Sequence, residues 1–461
     1  MNTRGIIVKR VVTGFMILML TGLFAHHLLI NRANHPKMKD PCNIFGDGEK
    51  YAWRLEMQRR GWVGMSDMFQ NYVLATNIIN GQGYSLDIYP PYRPTMFKPP
   101  LYELILAGFF KLSGDTFFVT LSEDESYANL PKVTYSSGNN IDYVFYFQSI
   151  MVILAYWIFF LVALNITNRN YIASFIGTVA VVYLTRDALY MISSLLLVYS
   201  LSPIIFISLI YSILKFIKKD KGLFNYGLLG LFHGLAPLFI GTYKHFGLVF
   251  SMGLIMFRFF TDKKISKQVL KKVTVYFVLF MIPSAIWMTR NYYKCGAFRL
   301  SNRLGSLMYG KAVSLEVDLD YNEAYGKFVN RKWRQIADNE NLVLTETQLD
   351  DYMMKEAKKK MKHLKYRSFI SMIYNFYGFY IRDKKMFIML VFAIIGIITY
   401  LKKAKYIVVP FILLGFYLTA LCIVLTSVYF RHNIPLIILN TLLFTVGIDS
   451  LMDMFSKKRV A

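Results

Sequence analysis

The chain has 461 residues, of which 55% are hydrophobic and only 18% are charged, and this balance excludes a single soluble globular domain. Several apolar stretches approach the roughly 20 residues that an α-helix needs to cross a bilayer. The formal net charge of +25 would suggest nucleic acid as the partner of a soluble protein. In a membrane protein, however, excess lysine and arginine mainly sets the topology of the loops. The composition therefore predicts an all-α integral membrane protein that does not bind nucleic acid.

About ten apolar segments are predicted to cross the membrane. With the N-terminus in the cytoplasm, the short loops rich in lysine and arginine fall on the cytoplasmic side, as the positive-inside rule requires. The C-terminus then lies on the same side. The first apolar run resembles a signal peptide, but it lacks an obvious small-x-small cleavage site, so we interpret it as a retained span. The predicted spans are 11–30, 141–166, 171–184, 189–214, 223–240, 246–260, 273–288, 386–400, 407–428 and 434–451.

This topology divides the chain into three parts. Residues 1–289 form a transmembrane core with a large first outer loop at 31–140, residues 290–385 form a second extracytoplasmic segment, and residues 386–461 form the C-terminal transmembrane helices. The apolar stretch 101–112 is too short to span and is predicted to be interfacial or re-entrant. Cys42 and Cys295 both fall outside, so a disulfide between them is conceivable.

The second outer segment contains a predicted amphipathic helix. Thr345 and Gln348 have the spacing of a capping box. Apolar residues then recur at every fourth position, and lysines fill the other faces; the apolar residues are Leu349, Met353, Ala357 and Met361. Two interpretations remain open: a solvated helix packed on its own small domain, or a helix that lies along anionic lipid headgroups.

The first outer loop is unusually aromatic and charged. Asp67 stands where a helix would begin, a position that favours an anion. A Gly-x-Gly-Tyr sequence ending at Tyr84 follows, and then Lys98-Pro-Pro-Leu-Tyr102. Asp67 could be a simple helix cap and Lys98 a cation that snorkels to the interface. An alternative acid, Asp47, precedes Glu49 and Tyr51 farther upstream.

This loop resembles the first extracytoplasmic loop of bacterial glycosyltransferases related to the protein O-mannosyltransferases and the aminoarabinose transferases. Two later stretches are similar to the same family. One contains Arg290-Asn291-Tyr292 at a predicted span end, and the other contains Arg431-His432 before Pro435. The resemblance implies a GT-C fold with interfacial helices in its outer loops, in the inner membrane of a bacterium. It also implies a sugar donor linked to a polyprenyl phosphate.

The resemblance assigns roles to these residues. Asp67, or else Asp47, would be the base that deprotonates the acceptor, a step that contributes roughly 10²–10⁴ in rate. Arg290 and Arg431 would hold the donor phosphate, because guanidinium groups bind phosphate through paired hydrogen bonds. The predicted substrate-binding set is Lys98, Tyr102, Arg290, Asn291, Tyr292, Arg431 and His432. We predict no metal ligands and no cofactor; the partners are the donor, membrane lipids and an extracytoplasmic acceptor, which could be a protein, an envelope glycan or a lipid.

Two departures from the family pattern keep other functions open. An acid that the family often carries within a span is replaced near Ser200 or Ser202, and an arginine after Gly-Leu-Ala is replaced by Tyr243 and Lys244. A transporter or flippase of a lipid-linked or anionic substrate is one alternative, although it would favour ionisable residues near the bilayer centre. A non-catalytic subunit for envelope assembly is the other.

Overall fold

A computed structural model describes residues 3–39, 67–87, 92–113, 118–119, 133–134, 141–193, 198–218, 222–318, 324, 328–329, 332, 345–403, 405–425 and 430–458. These residues are overwhelmingly helical. The α-helices are α1 (Thr3–Lys39), α2 (Asp67–Ile79), α3 (Leu101–Ser113), α4 (Ile141–Ile166), α5 (Tyr171–Ser193), α6 (Ser202–Lys218), α7 (Leu223–Gly234), α8 (Ala236–Phe239), α9 (Phe246–Asp262), α10 (Lys267–Cys295), α11 (Leu304–Val317), α12 (Glu346–His363), α13 (Lys365–Tyr377), α14 (Lys384–Lys402), α15 (Val409–Leu425) and α16 (Phe430–Lys458). Phe118–Val119 and Val133–Thr134 form a two-stranded antiparallel pair, β1 and β2.

The chain is an all-α membrane protein. Each of the ten predicted spans falls largely on helix. Among the described residues, six helices are long and apolar enough to cross a membrane, and three further apolar helices are shorter. The six segments are Ile6–Leu29, Tyr143–Ile166, Tyr171–Leu189, Lys267–Cys295, Lys384–Lys402 and Asn433–Phe455. The count of ten spans stays a prediction.

The predicted boundary between the third and fourth spans is wrong. The third span was expected to end at residue 184 and the fourth to begin at 189, but α5 continues through Ser193, and α6 begins only at Ser202. Pro203 explains the later start, because proline is compatible with the first turn of a helix and unfavourable in its interior. Leu189 is therefore a buried residue of the preceding helix rather than the start of a new one.

Close helix crossings hold the bundle together. A Cβ atom at Gly230 of α7 would lie 2.3 Å from the carbonyl oxygen of Tyr276 on α10. A Cβ atom at Gly447 of α16 would lie 2.1 Å from the carbonyl oxygen of Phe392 on α14. Small residues at such positions let membrane helices approach closely and gain van der Waals contact. Both crossings therefore require glycine.

Helix ends that the sequence assigns to one side of the membrane lie together. The Asn170 amide donates to the Asp449 carboxylate at 2.9 Å, and the Tyr400 hydroxyl donates to the same carboxylate at 2.8 Å. Lys403 pairs with Asp453 at 3.0 Å. The assignment of this end to the cytoplasm stays a prediction from the loop charges. We call the opposite end, where α2, α3 and α11–α13 lie, the outer end.

Two small cores stabilise the outer end. In the first, Tyr72 of α2 packs with Tyr102 and Phe110 of α3. In the second, Met353 of α12 packs with Ala312 of α11. Each core stabilises the described part of one of the two long segments, and these parts meet at the outer end of α10.

Candidate active site at the outer end

The Gly-x-Gly sequence turns the first outer loop back onto α2. Gly81 and Gly83 both have positive φ angles, of 74° and 79°, which glycine adopts without steric cost. The Asn77 side chain of α2 then donates to the carbonyl oxygens of Ser85 at 2.8 Å and Asp87 at 2.9 Å. The segment after the turn is thus hydrogen-bonded to the helix before it.

Two further contacts join the part of the loop before residue 88 to the part after residue 91. The Thr95 backbone N–H donates to the carbonyl oxygen of Tyr84 at 3.0 Å. Arg93 donates to Asp87 through Nε at 2.8 Å and through Nη2 at 3.0 Å. This bidentate ion pair adds geometric specificity as well as energy. The described part of the loop around Tyr84 and Thr95 is therefore held by hydrogen bonds and an ion pair, as a folded segment and not as a free linker.

Arg290, at the outer end of α10, reaches across to this loop. Its Nη1 donates to the carbonyl oxygen of Thr95 at 2.7 Å and to Asn291 Oδ1 at 3.0 Å, and its Nη2 lies 3.4 Å from the carbonyl oxygen of Tyr84. The guanidinium carbon is 5.5 Å from the Tyr84 ring centre and 4.8 Å from the Trp287 ring centre. Cation–π contacts of this kind add to the hydrogen bonds. Arg290 thus fixes the loop to a membrane span.

The two residues after Arg290 occupy different environments. Asn291 is fully buried, and its Nδ2 donates to the carbonyl oxygen of Arg299 at 2.7 Å. It therefore holds the chain after α10 against the helix end. Tyr292 is 57% exposed and packs edge-on against Tyr293. A substrate could therefore reach the side chain of Tyr292 but not that of Asn291.

Lys98 and Tyr102 lie where the loop joins α3, and we call this junction the base of the loop. Lys98 is 9% exposed, and its Nζ donates to Asn71 Oδ1 at 2.6 Å. The Tyr84 hydroxyl donates to the carbonyl oxygen of Lys98 at 3.1 Å. Tyr102 is 1% exposed and donates to Gln148 Oε1 at 2.8 Å, which links α3 to the span α4. Both predicted binding residues are thus part of the packed base in this structure.

Tyr84 is a hydrogen-bond donor rather than a phenolate. Burial, followed by the charge of the nearby Glu103 carboxylate, raises the pKa of Tyr84 well above its ordinary value. Glu103 is 2% exposed. The base of the loop therefore contains a buried acid that sequence reasoning did not select.

Four predicted residues cannot be placed at side-chain level. Asp67 is the first residue of α2, and Arg431 and His432 lie in the first turn of α16, but their side chains are outside the described part of the chain. Asp47 lies outside the described residues altogether. Their roles stay predictions.

Glu346 is a second functional candidate that sequence reasoning missed. It is the first residue of α12, and its Oε2 accepts a hydrogen bond from the Thr95 hydroxyl at 2.6 Å. Its other oxygen, Oε1, is buried and makes no close hydrogen bond to a described residue. Burial raises the pKa of Glu346 to about 7, although Thr95, the Met96 N–H and the Asn302 amide partly oppose the increase.

The local sequence gave little signal for Glu346. The predicted capping box is confirmed, since the Gln348 N–H donates to the Thr345 hydroxyl and the Thr345 N–H donates to the Gln348 side chain. An acid beside such a cap is an ordinary feature of a helix start. What makes Glu346 unusual is its hydrogen bond with Thr95, a residue that lies 251 positions earlier in the chain.

Helix α12 packs against the protein, as the first of its two interpretations predicts, and does not lie along lipid headgroups. Its apolar residues face α11, where Leu349, Met353 and Ala357 pack with Tyr309 and Val313. The Asp350 carboxylate accepts from the Gly305 N–H at 2.7 Å and so caps the start of α11. The apolar face that could have contacted lipid is therefore used within the protein.

Cys295 lies next to Arg290 at the end of α10. Its thiol is free among the described residues; Cys42 lies outside them, so the disulfide between the two stays a prediction. Cys295 Sγ lies 3.7 Å from Arg290 Nη1 and 3.6 Å from the carbonyl oxygen of Pro94. Across the described residues, no group of three or more histidine, cysteine, aspartate and glutamate side chains is arranged to hold a metal ion.

At the outer end, a cation and a partly buried acid therefore bind the same residue, Thr95. Arg290 binds the carbonyl oxygen of Thr95, while Glu346 binds its hydroxyl. A carboxyl group with a pKa near neutrality can accept or release a proton at physiological pH. The arrangement could therefore stabilise a negative charge and transfer a proton at the membrane surface.

No family model, curated protein or solved structure matches the chain.

Proposed function

We propose that the chain is a GT-C glycosyltransferase that moves a sugar from a polyprenyl-phosphate donor to an extracytoplasmic acceptor. The observation that carries the proposal is the contact of Arg290 with Thr95 and Tyr84. Two of the stretches that resemble the family are about 200 positions apart in sequence, and they meet at one end of the bundle. If the two resemblances were coincidental, there would be no reason for the two stretches to be in contact.

The chemistry of the reaction suits this location. A polyprenyl-phosphate sugar has its lipid tail in the bilayer and its phosphate at the surface, where Arg290 lies at the end of α10. The departing phosphate requires positive charge, and the acceptor requires a base. Arg290 supplies part of that charge while it shapes the loop, and Arg431 supplies the rest.

The proposed base is Asp67, with Asp47 as the alternative. Asp67 begins α2, and the same helix supplies Asn77 and Asn71, which order the loop and bind Lys98. Glu346 is a third acidic candidate, because its raised pKa matches what a base near neutral pH requires. We favour Asp67 because it precedes Gly81, Gly83 and Tyr84 at the spacing that the resemblance implies.

The location of the enzyme is part of the same proposal. It crosses the inner membrane of a bacterium about ten times, and both termini lie in the cytoplasm. The site then faces the extracytoplasmic side, where lipid-linked sugars and envelope acceptors are both present. Glu346, Arg290 and Tyr84 all lie at this outer end.

Turnover of lipid-linked donors by the purified full-length protein tests the proposal. The protein is reconstituted in lipid bilayers with a panel of radiolabelled polyprenyl-phosphate sugars, and release of sugar to water is scored together with transfer to membrane acceptors. Turnover of at least one donor supports the proposal. If no donor binds or turns over, while the protein moves a lipid-linked substrate across the bilayer, the flippase alternative replaces it.

A further inference from the structure

Helix α13 has an inverted polarity. Its large apolar side chains point away from the protein: Tyr366 is 76% exposed, Phe369 60%, Ile373 52% and Tyr377 49%. These four positions are separated by three, four and four residues, so they lie on one face of the helix. A soluble helix normally has its apolar stripe against the core and its polar face in water. Here the outward face is the apolar one.

The polar side of α13 faces the protein instead. The buried Lys311 of α11 donates from Nζ to the Ser371 hydroxyl at 3.0 Å. Arg367 Nη1 donates to the carbonyl oxygens of Leu315 at 3.2 Å and Glu316 at 3.1 Å, near the C-terminal end of α11. The orientation of α13 is therefore fixed by polar contacts, and the helix cannot turn its aromatic face inward without breaking them.

The position of α13 in the chain indicates what covers this face. It runs into a turn of π-helix at Gly378–Arg382, and then into α14, one of the helices able to cross a membrane. Exposed apolar side chains continue through Ile381 into Phe387 and Ile388 of α14, where such side chains face lipid. At 13 residues, α13 is about 20 Å long, shorter than the roughly 30 Å of a bilayer core. It can lie along the membrane but cannot cross it.

The flanking charges match a lipid surface. Basic residues stand at both ends of the apolar face; they are Lys365, Arg382, Lys384 and Lys385. Cations with long side chains place their charge at headgroup level while the apolar face is immersed. Tyrosine rings on the same face have the chemistry of the aromatic belt at membrane interfaces.

We propose that the face formed by Tyr366, Phe369, Ile373 and Tyr377 is a lipid-binding surface that inserts into the outer leaflet of the bilayer. Through Lys311 and Arg367 it holds α11, and through α11 it holds α12 and Glu346, at a fixed height above the membrane. The proposal stands apart from the proposed glycosyltransferase activity, because it rests on the polarity and position of α13; the leaflet follows from the topology that the loop charges predict.

Site-directed spin labelling tests this surface in the full-length protein. Cys42, Cys295 and Cys422 are replaced by serine, and a nitroxide is attached to Phe369→Cys, Ile373→Cys or Lys362→Cys. Lys362 is exposed on α12 and serves as the matched control. Each protein is reconstituted at low density in bilayers of phosphatidylethanolamine and phosphatidylglycerol. Collision rates with oxygen, which concentrates in lipid, and with a polar nickel chelate, which stays in water, are then measured.

The expected ratio of oxygen to nickel collisions is several-fold higher for the labels at 369 and 373 than for the label at 362. Ratios equal to that of 362 would place the face in water and overturn the proposal. Low collision rates with both reagents, together with spin–spin broadening between chains, would also overturn it, because a second copy of the chain would then cover the face. The labelled positions are on the surface, and retention of the wild-type melting temperature shows that each variant is folded.

Discussion

The hydroxyl of Thr95 donates to the carboxylate of Glu346 at 2.6 Å, although the two residues are 251 positions apart. The carbonyl oxygen of Thr95 is at the same time bound by Arg290 at 2.7 Å. A single residue of the first outer loop is thus held by a membrane span on one side and by the second outer segment on the other. The two long outer segments are therefore one structure at this point.

Replacement of Arg290 by lysine is expected to loosen the loop. Lysine keeps the charge but cannot reach the carbonyl oxygens of Thr95 and Tyr84 with a planar fork. Loss of hydrogen bonds to a charged group costs about 1.5–3 kcal/mol. We expect faster proteolysis between α2 and α3 and a reduced rate of sugar transfer. Limited proteolysis in bilayers and donor turnover measure the two effects.

The matched control for this variant is Arg299→Lys. Arg299 forms a partly exposed pair with Asp351 at 2.7 Å, and such surface pairs contribute little. Equal behaviour of the two variants, in either proteolysis or turnover, would contradict the role assigned to Arg290.

Glu346 is expected to make stability depend on pH. Its pKa is raised from 4.5 to about 7 in the folded protein, so the folded state binds more protons than the unfolded chain between these values. Stability therefore falls as the pH rises through this window and levels off above the folded pKa. Glu346→Gln should remove this decline and raise the melting temperature at alkaline pH relative to wild type.

Glu356→Gln, the same substitution on the same helix, is the control for this experiment. Melting temperatures of the three reconstituted proteins are compared from about pH 5 to 8, which spans the ordinary and the raised pKa of the carboxyl group. A decline with pH that persists unchanged in Glu346→Gln would rule out this carboxyl group as its source.

Gly447→Ala is expected to destabilise the transmembrane bundle. The new Cβ would lie 2.1 Å from the carbonyl oxygen of Phe392, so α14 and α16 must move apart. Overpacking of this kind costs about 1–3 kcal/mol. Gly22→Ala, where no atom lies within 4 Å, should leave stability unchanged or slightly increase it. Thermal unfolding in detergent micelles compares the two variants. Equal melting temperatures for Gly447→Ala and Gly22→Ala would show that the crossing tolerates a methyl group.

The sequence was sufficient for the helices but not for the contacts between them. Apolar length identifies a span whatever it packs against, and the capping box at Thr345 is local, so both could be predicted. The boundary at residue 189 was misjudged because the apolar run continues through the junction of α5 and α6. Pro203 was the available signal for the later helix start.

The candidate site could be predicted only in part. Gly81, Gly83 and Arg290 lie in motifs, and the structure brings these motifs together at the outer end. Glu346 accepts a hydrogen bond from Thr95, and no local pattern encodes a contact over that separation. Likewise, the spacing of Phe369 and Ile373 reveals an apolar face, but only the contacts of Ser371 show that this face points outward.

The most direct test of the central claim is the rate of sugar transfer by Asp67→Asn compared with Asp47→Asn. Both variants replace a carboxylate with an amide of the same shape, and both are reconstituted with a donor that the wild-type protein uses. We expect a loss of about 10²–10⁴ in turnover for Asp67→Asn, the contribution of a general base, and near wild-type turnover for Asp47→Asn. Full activity of a folded Asp67→Asn protein would contradict it, and loss confined to Asp47→Asn would move the base to the upstream acid.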